Sequence, residues 1–237
     1  MAERLDKILS SQGVATRSIA QRLIRSGKVS VNGAVVRDPS LKIEPSDCEI
    51  LLEGKVLNYK KYVYIMMNKP SGLLCVSRDN KAPTVIDLLT EDFLRPGLFP
   101  AGRLDKDTVG LVIITNDGDF GHRILSPKKG IAKRYHAIVD GPVGEREIMA
   151  FSQGITLEDG TVCRPAGLKV LKDGANPLVE VEITEGKYHQ VKRMFLSVGR
   201  RVLWLKRVSI GKLKLDERLR EGDFREMTEE EMALIFQ

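Results

Sequence analysis

The chain has 237 residues, of which 42% are hydrophobic and 30% charged, with a formal net charge of +6. This length allows one large domain or a small and a medium one, and the composition is ordinary for a globular protein. No segment approaches the roughly 18 consecutive apolar residues of a membrane span, and the first residues lack a signal core. Three widely spaced cysteines argue against a disulfide scaffold or a zinc site. We therefore expect a cytoplasmic protein that binds neither membrane nor metal.

The basic residues are unevenly distributed. Residues 1–28 carry six Lys or Arg against two acids, and residues 186–215 carry nine and no acid. Residues 216–237 reverse the balance, with eight acids against three arginines. A single charged run usually marks a solvated face, but two clustered basic regions favour contact with a polyanion such as nucleic acid.

The first 58 residues predict a small module of two helices and a hairpin. Residues 3–12 place apolar side chains at helical spacing, and Gly13 is a suitable stop. Ser18 and Gln21 stand at capping-box spacing, which predicts a second helix that ends at Gly27. Next, β-branched residues alternate on both sides of Asn32-Gly33, the pattern of a type I′ hairpin. Six basic residues on or between the helices are predicted to form one RNA-binding surface: Arg4, Lys7, Arg17, Arg22, Arg25 and Lys28.

This segment resembles the S4-type (alpha-L) RNA-binding domain. The resemblance covers about 55 residues and rests on Arg4-Leu5-Asp6-Lys7, Gly13, Arg17-Ser18, Leu23-Ile24, Gly27-Lys28-Val29, Val31-Asn32-Gly33 and Asp38-Pro39. It implies docking on structured RNA through phosphate and shape contacts, which position a protein without specifying sequence. Residues 58–61 would be a short linker to a second domain.

Residues 62–237 predict an α+β domain with a mixed, mostly antiparallel sheet, because strands and helices alternate without a regular βαβ rhythm. The predicted strands, in chain order, are 62–67, 110–115, 135–139, 179–183 and 202–208. The predicted helices are 85–89, 119–125, 144–153 and 191–198, with a last helix capped by Thr228 and Glu231. A hairpin turn is expected at Asp159-Gly160.

One loop stands out in this domain. The stretch Pro100–Asp107 places the carboxylate of Asp105 two residues from the guanidinium of Arg103, and an apolar run, 111–114, follows at once. A reactive side chain on a loop anchored by a buried strand is a common way to build an active site. The spacing alone indicates only a polar loop before a strand.

The stretch Gly-Arg-Leu-Asp-x-x-Thr-x-Gly-Leu at 102–111 resembles the signature of the rRNA pseudouridine synthases. Further blocks in the family's order are Asn68-Lys69-Pro70-Ser71-Gly72, Thr115-Asn116-Asp117-Gly118, Lys133-Arg134-Tyr135 and residues 186–195. The resemblance spans nearly all of 62–237 and implies isomerisation of uridine to its C-glycoside within RNA. Because that reaction involves no redox change or group transfer, it implies no cofactor or metal.

The resemblance also assigns roles to single residues. Asp105 would be the catalytic carboxylate, acting as nucleophile or as base. Tyr135 would stack on the target uracil. Apart from the resemblance, the position of Arg103 two residues from Asp105 suits contact with a phosphate or with the displaced nucleotide. Val191 would support the base from below, and Lys192, where many relatives carry Arg, would pair with the carboxylate. His189 has no carboxylate neighbour in sequence, and we expect it to be structural or to contact RNA.

Within this family, the S4-type module and the absence of a tRNA-type insertion favour ribosomal RNA as the partner, as free RNA or in an assembling subunit. The stretch 188–194, Tyr-His-Gln-Val-Lys-Arg-Met, is more similar to the small-subunit (16S) enzyme than to the large-subunit (23S) enzymes. A non-catalytic ribosome-assembly factor on the same fold is an alternative. An RNA hydrolase using Asp105 and Asp107 is weaker, since alternate positions of an extended segment face opposite sides. We expect a monomer.

Overall fold

The computed structural model describes residues 2–237 and divides them into two compact units. One unit contains residues 2–63 together with Leu89–Leu98, and the other contains Tyr64–Leu88 with Phe99–Gln237. The segment Leu89–Leu98 therefore lies with the first unit, although it falls inside the predicted 62–237 domain. The predicted domain bounds, 1–58 and 62–237, stay a prediction.

The first unit is built from two helices and short strands around one apolar core. Leu5, Ile8, Ala20 and Ile24 are fully buried in that core. The helices are α1 (Leu5–Ser11) and α2 (Arg17–Arg25), and the strands are β1 (Glu3–Arg4), β2 (Val29–Val31), β3 (Ala34–Val36), β4 (Lys42–Ile43), β5 (Ile50–Leu52) and β6 (Lys55–Val56). Strands β3, β2, β5 and β6 form one antiparallel sheet, and β1 pairs with β4.

Local signals in this unit are partly confirmed. Asn32 and Gly33 both adopt positive φ, and β2 pairs with β3 in the register that the type I′ hairpin predicts. The predicted cap of the second helix is wrong by two residues, because Thr16 accepts the hydrogen bond from the Ile19 amide. Gln21 is not available for a capping box, since its side chain donates to Asp6 across the helix pair.

The second unit is a mixed sheet with helices packed against it, which confirms the predicted α+β class. Its strands are β7 (Tyr64–Lys69), β8 (Phe99–Ala101), β9 (Val109–Thr115), β10 (Lys133–Val139), β11 (Gly167–Lys172), β12 (Leu178–Ile183), β13 (Val202–Ile210), β14 (Leu213–Lys214) and β15 (Phe224–Glu226). The sheet order is β11-β12-β10-β13-β9-β7-β15, with β14 on β13 and β8 on β9. Among the described strand pairs of this sheet, only β9 with β13 is parallel.

The helices of this unit agree with the sequence pattern to within a few residues. They are α3 (Gly118–Leu125), α4 (Glu145–Gln153), α5 (Gln190–Ser197) and α6 (Glu229–Leu234), with one-turn 3₁₀ segments at Ile86–Leu88 and Pro127–Lys129. Thr228 and Glu231 form the predicted capping box of α6. Over residues 2–237, no helix has both the length and the apolarity needed to cross a membrane.

The start of β9 fixes the position of the loop that precedes it. Gly110 has φ of +101°, and a Cβ there would come within 2.3 Å of the Arg207 carbonyl oxygen on β13. Only glycine combines that backbone conformation with that approach. The parallel contact between β9 and β13 therefore depends on Gly110, and it brings the 102–108 loop beside β13.

Candidate active site

Two buried cations hold the backbone of the 102–108 loop. The Arg207 guanidinium donates from Nη2 to the Gly102 carbonyl and from Nε to the Leu111 carbonyl, both at 2.8 Å. The Lys69 ammonium donates at 2.9–3.1 Å to the carbonyls of Pro70, Asp105, Lys106 and Thr108. Burial lowers the pKa of Lys69. Because buried carbonyls without partners are costly, these two side chains keep the loop in one conformation.

Asp105 projects from this loop between two side chains of the α5 region. Its Oδ2 lies 3.1 Å from Lys192 Nζ, and its Oδ1 lies 3.5 Å from His189 Nε2. The carboxylate is about three-quarters buried, with 24% of the side chain exposed. Asp105 and Lys192 are 87 positions apart in the chain, and the structure brings them together as the sequence predicted.

Lys192 is shared between two carboxylates. Its Nζ also donates to Asp107 Oδ1 at 2.6 Å. Partial burial would lower the pKa of Lys192, but the hydrogen bonds with Asp107 and Asp105 outweigh it and raise that pKa. The hydrogen bond from Lys192 lowers the pKa of Asp107. The expectation that Asp105 and Asp107 face opposite sides is wrong, because 105–108 is a turn closed by the Thr108 amide on the Asp105 carbonyl.

The turn before α5 positions His189 and Lys192. Gln190 is buried and donates to Glu185 Oε1 at 2.8 Å, while its own Oε1 accepts from the Lys187 amide at 2.9 Å. His189 adopts a left-handed backbone conformation with φ of +49°. The carboxylate nearest to His189 is that of Asp105, 84 positions away in the sequence, so the neighbouring residues gave no signal of this contact.

A cleft opens above Asp105, and all five predicted residues of the catalytic domain line it. Tyr135 of β10 and Val191 of α5 are 7% and 4% exposed, so they form buried walls. Arg103 is exposed at the cleft. Leu104, Ile183 and Leu205 add apolar surface. A cleft that combines apolar walls with convergent polar groups is the usual form of a small-ligand site.

Two of the six predicted cationic residues of the first unit, Arg4 and Arg17, are held by a buried acid. Asp6 is fully buried and accepts hydrogen bonds from Arg4, Arg17 and Gln21. The Arg4 hydrogen bond, helped by Gln21 and Arg17 and opposed by burial, lowers the pKa of Asp6 strongly. Lys7 pairs with Glu3, and Lys28 pairs with Glu53. Arg22 and Arg25 are exposed on α2.

Sequence reasoning missed several residues of the site. Lys69 and Arg207 were not predicted as site residues, although both are buried cations that shape the 102–108 loop. The feature of the sequence that could have identified each of them is a charged residue within an otherwise apolar strand. The roles of Asp107 and Gln190 were missed as well. Within residues 2–237, no group of three or more His, Cys, Asp or Glu side chains is arranged to hold a metal ion.

Comparison with known proteins places both units in described families. The RNA pseudouridylate synthase family matches residues 63–197, and the S4 domain family matches residues 3–47. The first match spans more than half of the chain and includes Asp105, Tyr135, Val191 and Lys192.

Individual relatives match over almost the full length. A Bacillus subtilis protein described as an uncharacterized RNA pseudouridine synthase is 40% identical over 98% of both chains. A Salmonella typhimurium protein named ribosomal small subunit pseudouridine synthase A is 40% identical over 98% of this chain and 99% of its own. A crystal structure described as a pseudouridylate synthase has a TM-score of 0.69 and 39% identity, covering 98% of this chain and 99% of that one.

Proposed function

This chain belongs to the RNA pseudouridine synthase family of isomerases, and from that premise we propose that it converts one uridine of small-subunit ribosomal RNA into pseudouridine. Asp105 is the catalytic carboxylate in this proposal. The observation that carries it is the Asp105–Lys192 ion pair, 3.1 Å long, at the base of a cleft with apolar and aromatic walls.

The reaction breaks the N-glycosidic bond, turns the uracil and joins its C5 to the ribose. One carboxylate suffices, either by attack on the ribose or the ring or by removing a ribose proton. Asp105 meets the geometric requirement because it is fixed by its own loop and by Lys192, yet remains partly exposed to the cleft. Lys192 and the buried carbonyl contacts of Lys69 keep the carboxylate in place, so little reorganisation accompanies the reaction.

The uridine would enter the cleft flipped out of its stack, because an enzyme that acts on a base must reach it outside the helix. Tyr135 and Val191 both line the cleft, where the first would supply an aromatic contact and the second an apolar contact to a pyrimidine ring. Arg103, exposed at the same cleft, would contact a phosphate of the flipped nucleotide. The first unit would add sequence-independent contacts to the surrounding RNA through its basic side chains.

Two features support the small subunit as the source of the substrate. One is the 40% identity to the Salmonella typhimurium protein whose name specifies the ribosomal small subunit. The other is the stretch 188–194, which carries Tyr-His where the large-subunit enzymes tend to carry Asn-Arg. We further propose that the protein acts as a monomer in the cytoplasm, on free RNA or on an assembly intermediate.

The test is pseudouridine mapping by carbodiimide labelling and primer extension. Unmodified small- and large-subunit rRNAs, each with and without cognate ribosomal proteins, are treated with wild type, Asp105→Asn or Asp107→Asn. Asp107→Asn is a matched control, because it removes one negative charge from the same turn, and that charge also pairs with Lys192. We expect a stop at one small-subunit uridine with wild type and Asp107→Asn, and none with Asp105→Asn.

Other outcomes would change the proposal in defined ways. A stop only in large-subunit rRNA would support pseudouridine formation but would assign the substrate to the large subunit. A stop that persists with Asp105→Asn would remove Asp105 from the catalytic role. No stop in any sample, with RNA still tightly bound, would favour the ribosome-assembly factor.

A further inference from the structure

A second aromatic residue, Tyr188, lies in the chain between Lys187 and His189, which both line the cleft. Tyr188 and His189 stack face to face, with ring centroids 3.9 Å apart and planes at 16°. Tyr188 is 72% exposed, and none of the proposed catalytic steps uses it. A large ring held rigidly in solvent next to an RNA site is unusual for a purely structural tyrosine, which would bury its apolar face.

The backbone around this stack is held in a costly conformation. His189 is one of three non-glycine residues with positive φ among residues 2–237, and the other two lie in hairpin turns of the first unit. Such outliers cluster at functional sites, where the surrounding structure maintains them. Here the Gln190 contacts maintain it. The conformation sets the His189 ring between Asp105, 3.5 Å away, and Tyr188.

We propose that the Tyr188–His189 stack is a platform for the unpaired nucleobase adjacent to the target uridine. This rests on the proposed function, because it places substrate RNA in the cleft. Flipping the uridine breaks its stacking with the neighbouring base and exposes that base's face. A preformed aromatic surface replaces the lost stacking partner without ordering a mobile side chain. Since every base has a π-face, the platform accepts any base.

The geometry favours a base over a phosphate as the occupant. The exposed surface is the neutral ring of Tyr188, whereas the nearby cations are engaged elsewhere. Lys187 pairs with Glu185, and Arg193 pairs with Asp159 at 2.6 Å. One face of the tyrosine ring is covered by His189, so the stack can be extended by one more ring on the open side.

The test compares two small ligands, uridine 5′-monophosphate and the trinucleotide ApUpA, in titrations followed by NMR. Only the trinucleotide carries neighbouring bases, so the platform contributes to its affinity alone. Tyr188→Ala should weaken ApUpA binding about 5- to 100-fold and leave the monophosphate unchanged. Tyr188→Phe keeps the ring and should bind both ligands like wild type. Leu196→Ala, at an exposed site on α5, the helix that follows Tyr188, is the control for local perturbation.

Defined results would overturn the platform. These are equal ApUpA affinity for Tyr188→Ala and wild type, a loss in Tyr188→Phe as large as that in Tyr188→Ala, or wild-type binding of ApUpA no tighter than of the monophosphate. Each is independent of the rRNA mapping. A wild-type protein that fails to modify ribosomal RNA, yet shows the Tyr188-dependent gain, would contradict the proposed substrate and leave the platform standing.

Discussion

The two units use the same kind of ion cluster in opposite proportions. In the first unit, one fully buried carboxylate, Asp6, is shared by two partly exposed arginines, Arg4 and Arg17. In the second, one largely buried lysine, Lys192, is shared by two carboxylates, Asp105 and Asp107. In the first cluster the shared ion is the most buried one, whereas in the second Lys192 and Asp105 are equally buried and only Asp107 faces solvent.

The two clusters differ in the net charge that they display, and the difference suits the two roles proposed for them. The Asp6 cluster displays net positive charge, held in a fixed direction, which suits phosphate contacts. The Lys192 cluster displays net negative charge in a cleft, where an isolated carboxylate would repel RNA. Lys192 lessens that repulsion and still leaves a quarter of the Asp105 side chain exposed, as the proposed reaction requires.

Removing the shared lysine should have the largest effect. Lys192→Met leaves Asp105 and Asp107 without their common cation, so Asp105 loses its position and the cleft repels the RNA backbone. We expect the single-turnover rate of pseudouridine formation to fall about 100-fold or more, the scale for losing one preorganised electrostatic contact. Lys192→Arg, which keeps the charge, should stay within about tenfold of wild type. A Met variant as active as the Arg variant would show that the pair is dispensable.

Removing the shared acid of the first unit should weaken RNA binding although the net charge becomes more positive. Asp6→Asn keeps the shape of the side chain but frees Arg4 and Arg17 from their fixed directions. We expect the dissociation constant for rRNA to rise about tenfold, which corresponds to about 1.4 kcal/mol. The rate with bound RNA should not change. Filter binding together with single-turnover kinetics separates the two, and tighter binding by Asp6→Asn would refute an orienting role.

The same acid predicts a pH dependence of stability. The Arg4 hydrogen bond lowers the pKa of Asp6 in the folded protein below the unfolded value of about 3.9. A lowered carboxyl pKa stabilises the fold above about pH 4, and this contribution is lost as the pH falls further. Urea unfolding, followed by methyl NMR signals of Ile8 and Ile24, should show Asp6→Asn less stable than wild type at pH 7. The difference should shrink at pH 3, and a constant difference would contradict this linkage.

Part of this architecture could be predicted from the sequence and part could not. The Asn32-Gly33 hairpin and the Thr228–Glu231 capping box are local, since all their interacting groups lie within a few residues. Ser18 was predicted as the cap because Ser18 and Gln21 stand at capping-box spacing, whereas Thr16 caps the helix. The partner that Gln21 prefers, Asp6, lies 15 positions away.

Prediction of the site was limited in the same way, because its contacts join residues that are far apart in the sequence. Asp105 and Lys192 were predicted because family motifs carry long-range information that spacing does not. The contact between Asp107 and Lys192 was not predicted, because an extended conformation was expected for residues 105–107. The chain instead forms a turn there, and Lys69 stabilises it. Strand β11 was missed because its lysine-rich sequence at the sheet edge weakens the apolar alternation that marks a buried strand.

The smallest expected effects distinguish exposed cations that have an acidic partner from those that do not. Within residues 2–237, Arg22 and Arg25 of α2 have no carboxylate in ion-pair contact, whereas Lys28 is paired with Glu53. Since an arginine that neutralises one phosphate releases counterions, Arg22→Ala should weaken RNA binding a few-fold at low salt. It should also reduce the slope of log K against log salt by about 0.7–0.9. Lys28→Ala removes a charge already offset by Glu53, so its change in slope should be smaller. Equal slopes for the two variants would mean that pairing within the protein does not determine which cations of the first unit contact RNA.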